Sequence, residues 1–381
     1  MKIAFTQILA LIACALLTAC GAGSCVGHNG CGDSATTSST TSSGITYSGN
    51  TGTVSILAGS ISAEGFLDGT GTAALFKGPN GMAVDSSGNI YLADQLNRRI
   101  RKITSAGVVT TFAGSGTSGF VDGTGTAAQF LGPYGITIFN NILYIRDTNS
   151  IRAITTVGTP GVVTTFAGSA ATSGTTNGTG IAARFTGQAG IVADSSGNLY
   201  TIDGGQCTIR KITPLAVVTT FAGQAGVCAS ADGTGAAATF LDPSNLAIDS
   251  SGNLYVTETL KVRKISPAGV VTTFAGSGSS AYADGTGTAA SFLALVSLTV
   301  DSSNNLYVLD ASGLTIRRIT SAGVVTTFAG IPNTSGTTNG TLTTSTFSGL
   351  QGITIDTSGN LYVTESVRFD NNTIRKIVFT P

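Results

Sequence analysis

The sequence predicts an all-β fold, a six-bladed β-propeller with four antiparallel strands in each blade. The segment Val-Val-Thr-Thr-Phe-Ala-Gly occurs five times in identical form, at 108–114, 162–168, 217–223, 270–276 and 324–330. Variants of Ile-Arg-Lys-Ile occur six times, at 100–103, 151–154, 209–212, 262–265, 316–319 and 374–377. A strand-rich unit that returns every 53–55 residues is typical of a propeller, in which each repeat forms one blade.

Each repeat contains four strand-like segments, which we call A to D. In the second repeat they are predicted at 132–139, 142–147, 151–155 and 162–168, because β-branched and aromatic residues favour strands. The A–B connection is typically Asp-Ser-Ser-Gly-Asn, in which Gly and Asn tolerate the positive φ of a tight turn.

The two ends of the repeat region are complementary. A sixth D-like segment, Val-Ser-Ile-Leu-Ala-Gly at 54–59, precedes the first strand A, whereas the last repeat stops after strand C at 374–381. We predict that strand 54–58 joins the last blade and closes the ring, which leaves no open sheet edge between the first and last blades. A linear solenoid would instead need an atypical cap at each end.

The D–A connections carry a repeated motif, Asp or Asn followed by Gly-Thr, with a Phe eight residues later. We expect a turn, one helical turn capped by Thr, and a Phe buried between blades. The alternative is a calcium loop, although calcium loops bring several carboxylates together and each copy offers at most one. The pairs are Asp68 with Phe76, Asp122 with Phe130, Asn177 with Phe185, Asp232 with Phe240, Asp284 with Phe292 and Asn339 with Phe347.

The N-terminal region is predicted to be an export signal at 1–19 and a tether at 20–50, ahead of the propeller at 51–381. Lys2 and an apolar run precede Leu-Thr-Ala-Cys at 17–20, which resembles a bacterial lipobox and implies lipidation of Cys20; an ordinary signal peptide is the alternative. Gly rather than Asp at 21 favours the outer membrane of a bacterial cell envelope, with the lipid as the only membrane contact.

The cysteines support export. Cys25, His28 and Cys31 in the tether offer three metal ligands, whereas a structural zinc site takes four, so a local disulfide or two free thiols is expected instead. Cys207 and Cys228 remain in the propeller, and an even number suits a disulfide in an oxidising compartment. We predict that this bond joins two loops of the third blade.

Composition excludes several functions. Charged residues make up 10% of the chain and its net charge is zero, so no basic stripe is available for nucleic acid. His28 is the single histidine, which excludes a Ser-His-Asp triad and an imidazole general base from the propeller. No catalytic residue and no cofactor is assigned, and we expect a monomer.

An acid ends strand B and an Arg lies in strand C of every repeat. Because B–C and D–A loops share one face of a propeller, six carboxylates there are candidates to bind a cation or a basic peptide. The alternative is that each acid caps its own turn or pairs with the nearby Arg. The acids are Asp94, Asp147, Asp203, Glu258, Asp310 and Glu365, and the arginines are Arg101, Arg152, Arg210, Arg263, Arg317 and Arg375.

Departures from the repeat mark further candidate ligand contacts on this loop face. Tyr134 and Arg146 are peculiar to the second repeat, and Arg368 and Phe369 lie in the longest B–C loop. Recognition residues concentrate in such varied loops on a rigid scaffold.

Residues 78–103 resemble an NHL repeat; they begin Gly-Pro-Asn-Gly-Met-Ala-Val-Asp and end Ile-Arg-Lys-Ile. The flanking Asp-Gly-Thr-Gly-Thr-Ala-Ala-x-Phe segments are similar to those of bacterial NHL-repeat propellers. The resemblance covers roughly 54–381 and implies the fold. NHL propellers include protein and RNA binders, sensor domains and a zinc-dependent amidating lyase, whose histidine ligands have no counterpart here. Fold alone therefore does not assign a function.

Two hypotheses follow. The first is a non-catalytic recognition scaffold, anchored to the envelope, for a protein, peptide or glycan ligand. The second is a calcium-dependent hydrolase or lactonase-like propeller, which would use acidic residues at the central channel. The positions at the start of each strand A, nearest the axis, are mostly neutral: Asn80, Tyr134, Ala189, Ser244, Val296 and Gln351.

Overall fold

Six antiparallel sheets form the molecule. The structure is a computed structural model that describes residues 46–157, 161–367 and 370–380. Each sheet contains consecutive strands A, B, C and D with one further short strand outside D. Strand A of each blade contacts strand A of the next, and the sixth contacts the first. The predicted six-bladed, all-β propeller is therefore confirmed.

The strands of the blades have the following bounds. Strands A are β3 Pro79–Val84, β8 Pro133–Phe139, β13 Ile191–Ala193, β18 Leu246–Ile248, β23 Leu295–Val300 and β28 Leu350–Ile355. Strands B are β4 Ile90–Asp94, β9 Ile142–Asp147, β14 Leu199–Asp203, β19 Leu254–Glu258, β24 Leu306–Asp310 and β29 Leu361–Ser366. Strands C are β5 Arg99–Ile103, β10 Ser150–Thr155, β15 Thr208–Ile212, β20 Lys261–Ile265, β25 Thr315–Ile319 and β30 Asn372–Thr380. Strands D are β6 Val108–Ala113, β11 Val162–Gly168, β16 Val217–Ala222, β21 Val270–Ala275, β26 Val324–Ala329 and, for the sixth blade, β1 Thr51–Ser60.

The sixth blade is closed by both ends of the repeat region, as predicted. Strand β1 lies antiparallel to β30, from Thr51 opposite Thr380 to Ser60 opposite Asn372, with a bulge between Ile56 and Ala58. It is longer than the predicted strand 54–58. The ring is therefore closed by backbone hydrogen bonds as well as by side-chain packing.

The blades contain a fifth strand that sequence reasoning did not predict. In five blades the Gly-Thr of the repeated motif pairs with the two valines that open strand D, as Gly69 does with Val109 and Thr70 with Val108. In the sixth blade Gly340 pairs with Val54 and Thr341 with Thr53. A two-residue strand has no alternating apolar pattern, so nothing in its residues distinguishes it from a turn. The short strands are β2 Gly69–Thr70, β7 Gly123–Thr124, β12 Gly178–Thr179, β17 Gly233–Thr234, β22 Gly285–Thr286 and β27 Gly340–Thr341.

The predicted helical turn after Gly-Thr is a single 3₁₀ turn in five of the six described D–A loops. The preceding Thr makes no side-chain hydrogen bond to it, as at Thr70, so the predicted Thr cap is wrong; the backbone of this residue belongs to the short strand. The 3₁₀ helices in these loops are η1 Gly71–Ala73, η3 Gly125–Ala127, η4 Gly180–Ala182, η6 Gly235–Ala237 and η7 Gly287–Ala289, and two more, η2 Gln95–Asn97 and η5 Gly204–Gln206, lie in B–C loops.

The core lies between neighbouring blades. The six Phe residues of the D–A loops are fully buried, as expected, and each such burial stabilises the fold by about 1.5–3 kcal/mol. Strand D adds a second aromatic layer, because Phe112 meets Tyr91 of strand B edge to face with ring centroids 5.0 Å apart.

Steric contacts explain why Gly stands at the last position of Val-Val-Thr-Thr-Phe-Ala-Gly. Gly114 has φ +98°, and a Cβ there would lie 2.5 Å from the Arg98 carbonyl oxygen and 3.0 Å from the Phe130 ring. Only Gly fits such a backbone and such a contact. The second Val and the Ala of the segment are buried in all five identical copies, so packing constrains these positions as well as the Gly.

Candidate functional site

The acids that end strands B are structural groups. Asp94 accepts a hydrogen bond from Arg101 Nη1 at 2.8 Å and another from the backbone N–H of Lys77 at 2.8 Å. All six are at most 2% exposed. Each is paired with its strand-C arginine: Asp147 with Arg152 at 3.3 Å, Asp203 with Arg210 at 2.8 Å, Glu258 with Arg263 at 2.8 Å, Asp310 with Arg317 at 3.8 Å and Glu365 with Arg375 at 3.0 Å.

The same arginines hold the D–A loops. Arg101 Nη2 donates to Asp68 Oδ1 at 2.6 Å and to the Leu67 carbonyl at 3.0 Å. Each guanidinium thus ties the end of strand B to the start of the Gly-Thr strand. The corresponding loop acceptors are Asp122, Asn177, Asp232, Asp284 and Asn339. In every repeat, the Asp or Asn side chain of the D–A loop therefore accepts a hydrogen bond from the strand-C arginine.

These contacts agree with the alternative in which each strand-B acid pairs with its nearby Arg rather than with the one in which it contacts a ligand. Strand B carries them into the sheet, where burial raises the pKa of Asp94 to about 6 while Arg101 acts in the opposite direction. Burial also raises the pKa of Asp147 and of Asp203. Across the described ranges, no group of three His, Cys, Asp or Glu side chains lies close enough to hold a metal ion.

Arg146 is also buried, which corrects its predicted position on the exposed loop face. It precedes Asp147 on strand B, so its side chain lies on the other side of the sheet and packs against the third blade. Nη2 donates to the Gly187 carbonyl at 2.6 Å, and the guanidinium carbon lies 4.8 Å from the centre of the Phe185 ring. Burial lowers the pKa of Arg146 to about 10, and the charge of Asp203 opposes that shift.

The mouth of the central channel is neutral and hydrogen-bonding. Burial raises the pKa of the Tyr134 phenol, while Asn80 of the neighbouring blade acts in the opposite direction. Ser244 shares a hydrogen bond with Thr257 at 2.8 Å and donates to the Val296 carbonyl at 3.2 Å. The mouth therefore offers amides and hydroxyls without a net charge.

One contact at the mouth could not be found by sequence reasoning. Gln95, in the B–C loop of the first blade, donates from Nε2 to Gln188 Oε1 of the third blade at 2.8 Å. A direct contact that passes over the second blade is geometrically feasible only close to the axis. Gln188 in turn donates to the Gly132 carbonyl at 3.1 Å, so a chain of amides links three blades.

Below the mouth, the strands A enclose a cavity of about 230 Å³ lined by residues such as Met82, Ile136, Thr137 and Thr354. Pockets for drug-sized molecules usually range from about 300 to 1,000 Å³. The cavity between the strands A is therefore smaller than a typical site for a drug-sized ligand.

A disulfide joins Cys207 in the B–C loop of the third blade to Cys228 in the following D–A loop, with Cα atoms 5.4 Å apart. It links two loops on the same face as the mouth. The predicted ligand contacts Arg368 and Phe369, the lipidation site Cys20 and the tether residues Cys25, His28 and Cys31 lie outside the described residues.

Sequence comparisons support NHL repeats. The family described as the teneurin NHL domain matches residues 227–380. The protein SUPPRESSOR OF QUENCHING 1, chloroplastic, of Arabidopsis thaliana is 39% identical over 85 residues, which is 22% of this chain and 8% of that protein. The match thus spans a small fraction of that relative's length.

Solved structures share the fold at low identity. A protein of unknown function from Bacteroides thetaiotaomicron has a TM-score of 0.67 and 20% identity over 87% of this chain and 76% of that chain. An auxiliary nutrient binding protein from the same organism has a TM-score of 0.62 and 17% identity over 87% and 77%. A gluconolactonase from Xanthomonas campestris has a TM-score of 0.55 and 12% identity over 88% and 94%. At such identities the likeness shows the fold alone.

Proposed function

We propose that the protein is a non-catalytic recognition scaffold that binds an uncharged ligand, a glycan or a stretch of peptide, at the mouth of the channel on the loop face. The observation that carries the proposal is the neutral, hydrogen-bonding mouth around Asn80, Tyr134, Gln95 and Gln188. Such groups satisfy hydroxyls and amides of a ligand as they satisfy each other. A propeller with similar architecture is described as a nutrient binding protein.

The surrounding charges favour binding over catalysis. A general acid or base must reach its substrate, whereas the six strand-B acids are buried and paired with arginines. These acids hold the blades and loops together through their arginine partners, and they do not reach a bound ligand. The loops on this face are then available for recognition.

The test is binding of the full chain to glycan and peptide arrays, followed by titration of the best ligand. Tyr134→Ala is expected to weaken binding at least tenfold, because it removes a phenol from the mouth. Ser87→Ala, on an exposed A–B turn at the opposite face, is the matched control and should bind normally. Melting temperatures of all variants establish that they are folded. Normal affinity of Tyr134→Ala would contradict the proposed location.

We also propose that the chain is anchored to a bacterial envelope through lipid on Cys20. The support is the lipobox-like segment at 17–20; in the described part of the chain, no helix has the length and apolar character to span a membrane. Cells grown with labelled palmitate should label the wild-type chain and not Cys20→Ser. Equal labelling of both would rule out this anchor.

The calcium-dependent alternative has its own test. Calcium that binds only the native state raises the melting temperature by mass action. An unchanged melting temperature on adding chelator would count against the hydrolase. A large drop, with one calcium bound per chain, would favour it and justify a screen of lactones and esters.

A further inference from the structure

The outer edge of the fifth blade carries a short additional strand from the chain's own N-terminal region. Residues 46–48 lie parallel to strand D, with Tyr47 opposite Thr327. Thr327 donates its N–H to the Thr46 carbonyl at 3.0 Å, and its carbonyl accepts the N–H of Ser48 at 3.0 Å. This is β-augmentation, the addition of an extended segment to a sheet edge.

At the same edge of the first and second blades, a carboxylate accepts the N–H of strand D instead. Thr111 donates its N–H to Asp68 Oδ2 at 3.1 Å, and Thr165 does the same to Asp122 Oδ2 at 3.1 Å. In the fifth blade the equivalent carboxylate, Asp284 Oδ2, accepts the N–H of Thr46 at 2.6 Å. The Asp therefore accepts one of two N–H groups: that of strand D in its own blade, or the first N–H of an added segment.

The three blades share the residues next to this edge. Each has an aromatic side chain two positions before the Asp, with the strand-C guanidinium over its ring: Arg101 at 4.9 Å from the Phe66 centroid, Arg152 at 4.4 Å from Phe120 and Arg317 at 4.2 Å from Tyr282. The other three blades lack an aromatic at this position. The edges of blades one and two are thus built like the edge that already carries a strand.

The outer edges of the first and second blades are more exposed to solvent than that of the fifth blade. The side chains of Asp68 and Asp122 are 45% and 49% exposed, against 11% for Asp284. Beside Asp68, Phe66 and Leu67 are 44% and 51% exposed, and beside Asp122, Val121 is 46% exposed. A strand edge that is capped by a side chain instead of another strand, with apolar side chains beside it, is a template for strand addition.

We propose that the outer edges of blades one and two bind an extended peptide segment without acidic residues, parallel to strand D and with an aromatic residue opposite Thr111 or Thr165. The N–H and C=O of one strand residue point to the same side, so Thr111 offers both groups to the peptide. Asp68 then accepts the preceding peptide N–H. The aromatic preference follows Tyr47, whose hydroxyl donates to the Gly330 carbonyl at 3.2 Å; Gly114 and Gly168 occupy that position in blades one and two. This surface is separate from the channel mouth.

The probe is a labelled peptide with the sequence of residues 44–49, Gly-Ile-Thr-Tyr-Ser-Gly, acetylated and amidated, titrated against the full chain. Methylation of its Ser nitrogen, which corresponds to the Ser48 N–H, should weaken binding at least tenfold. Methylation of its Tyr nitrogen, which faces away from the edge, is the matched control and should have little effect. This comparison leaves the protein unchanged.

Proline variants locate the site. Thr111→Pro and Thr165→Pro remove the two edge N–H groups, which proline tolerates on an outer strand, and each should abolish part of the binding. Thr220→Pro, in the third blade without the aromatic, should bind as wild type. Absence of saturable binding, equal binding of the two methylated peptides, or full binding by the Thr111→Pro, Thr165→Pro double variant would each overturn the proposal.

Discussion

Each strand-C arginine is a fully buried cation with a carboxylate partner beneath it, as Arg101 has in Asp94 at 2.8 Å. Removing one partner of such a pair leaves an uncompensated buried charge, which costs about 3–5 kcal/mol. Arg101→Met is therefore expected to lower the free energy of unfolding by that amount in a denaturant titration. Lys102→Met, at the half-buried neighbouring position, should change it by less than about 1 kcal/mol.

A double variant separates charge from packing. Replacing a whole buried pair by apolar residues is often close to neutral, so adding Asp94→Leu to Arg101→Met should restore part of the lost stability. If the double variant is no more stable than Arg101→Met, the loss comes from the D–A loop contacts and the charge argument is wrong.

The tyrosines of strand B predict a loss of stability at alkaline pH. Burial, together with the charge of Asp85 and a hydrogen bond to it, raises the pKa of Tyr91 to about 12. The unfolded chain releases this proton near its ordinary pKa of about 10, whereas the folded chain retains it. Stability is therefore fully present below pH 10 and falls as the pH rises towards 12.

Denaturation midpoints at pH 9 and pH 11, with tyrosinate absorbance recorded in parallel, measure this effect. Tyr91→Phe should reduce the difference between the two midpoints. Tyr144→Phe is the matched comparison, because Phe139 replaces the turn Asp in that blade and burial alone raises the pKa of Tyr144. A larger change for Tyr144→Phe than for Tyr91→Phe would contradict the role of Asp85.

Among the elements, the closing strand Thr51–Ser60 makes the sharpest prediction. Val54 is 2% exposed, and Ser55 points to the opposite, exposed face. Val54→Asp buries an unpaired charge and should cost at least about 3 kcal/mol, whereas Ser55→Asp should cost less than about 1 kcal/mol. Unfolding by denaturant measures both. Equal, small effects would show that this strand contributes little to the stability of the ring.

The elements that sequence reasoning predicted are those with a repeated apolar pattern. Strands A to D and the closing strand carry buried Val, Ile and Phe at regular positions, so their pattern identifies them. The Gly-Thr strands and residues 46–48 are short and polar, and their partners lie far along the chain. The strand-B acids were ambiguous for a related reason: burial depends on the arginine and on loop backbone, which no local pattern contains. The Gln95–Gln188 contact joins two blades and was likewise invisible.

At the scale of the whole molecule, six blades fit because their innermost strands approach closely. A Cβ at Gly81 would overlap the Tyr134 carbonyl, and one at Gly352 would lie 2.6 Å from the Asn80 carbonyl oxygen. The contact between the sixth and first blades thus uses the same geometry as an internal contact. Within the sixth blade, the backbone hydrogen bonds between β1 and β30 join the two ends of the chain and add to this packing.

Circular permutation tests how much that sharing contributes. Thr51 lies opposite Thr380, so an Asn-Gly turn can join them as a hairpin. New termini between residues 105 and 106, in the C–D turn of the first blade, recreate a blade shared by both ends. New termini between residues 116 and 117, in a D–A loop, leave every blade continuous, and the ring is then closed by packing and by a few loop hydrogen bonds such as Ser115 N–H to the Ala128 carbonyl at 2.9 Å.

We expect the first permutant to melt at least about 5 °C above the second. In the first permutant, several kcal/mol of strand pairing oppose opening of the ring, and about 1 kcal/mol shifts the melting temperature of a large domain by about 2–4 °C. Both proteins carry the same linker and lack residues 46–50, so the comparison isolates the position of the break. Circular dichroism during heating measures it. Equal melting temperatures would mean that packing between the blades, rather than the exchanged strand, holds the ring closed.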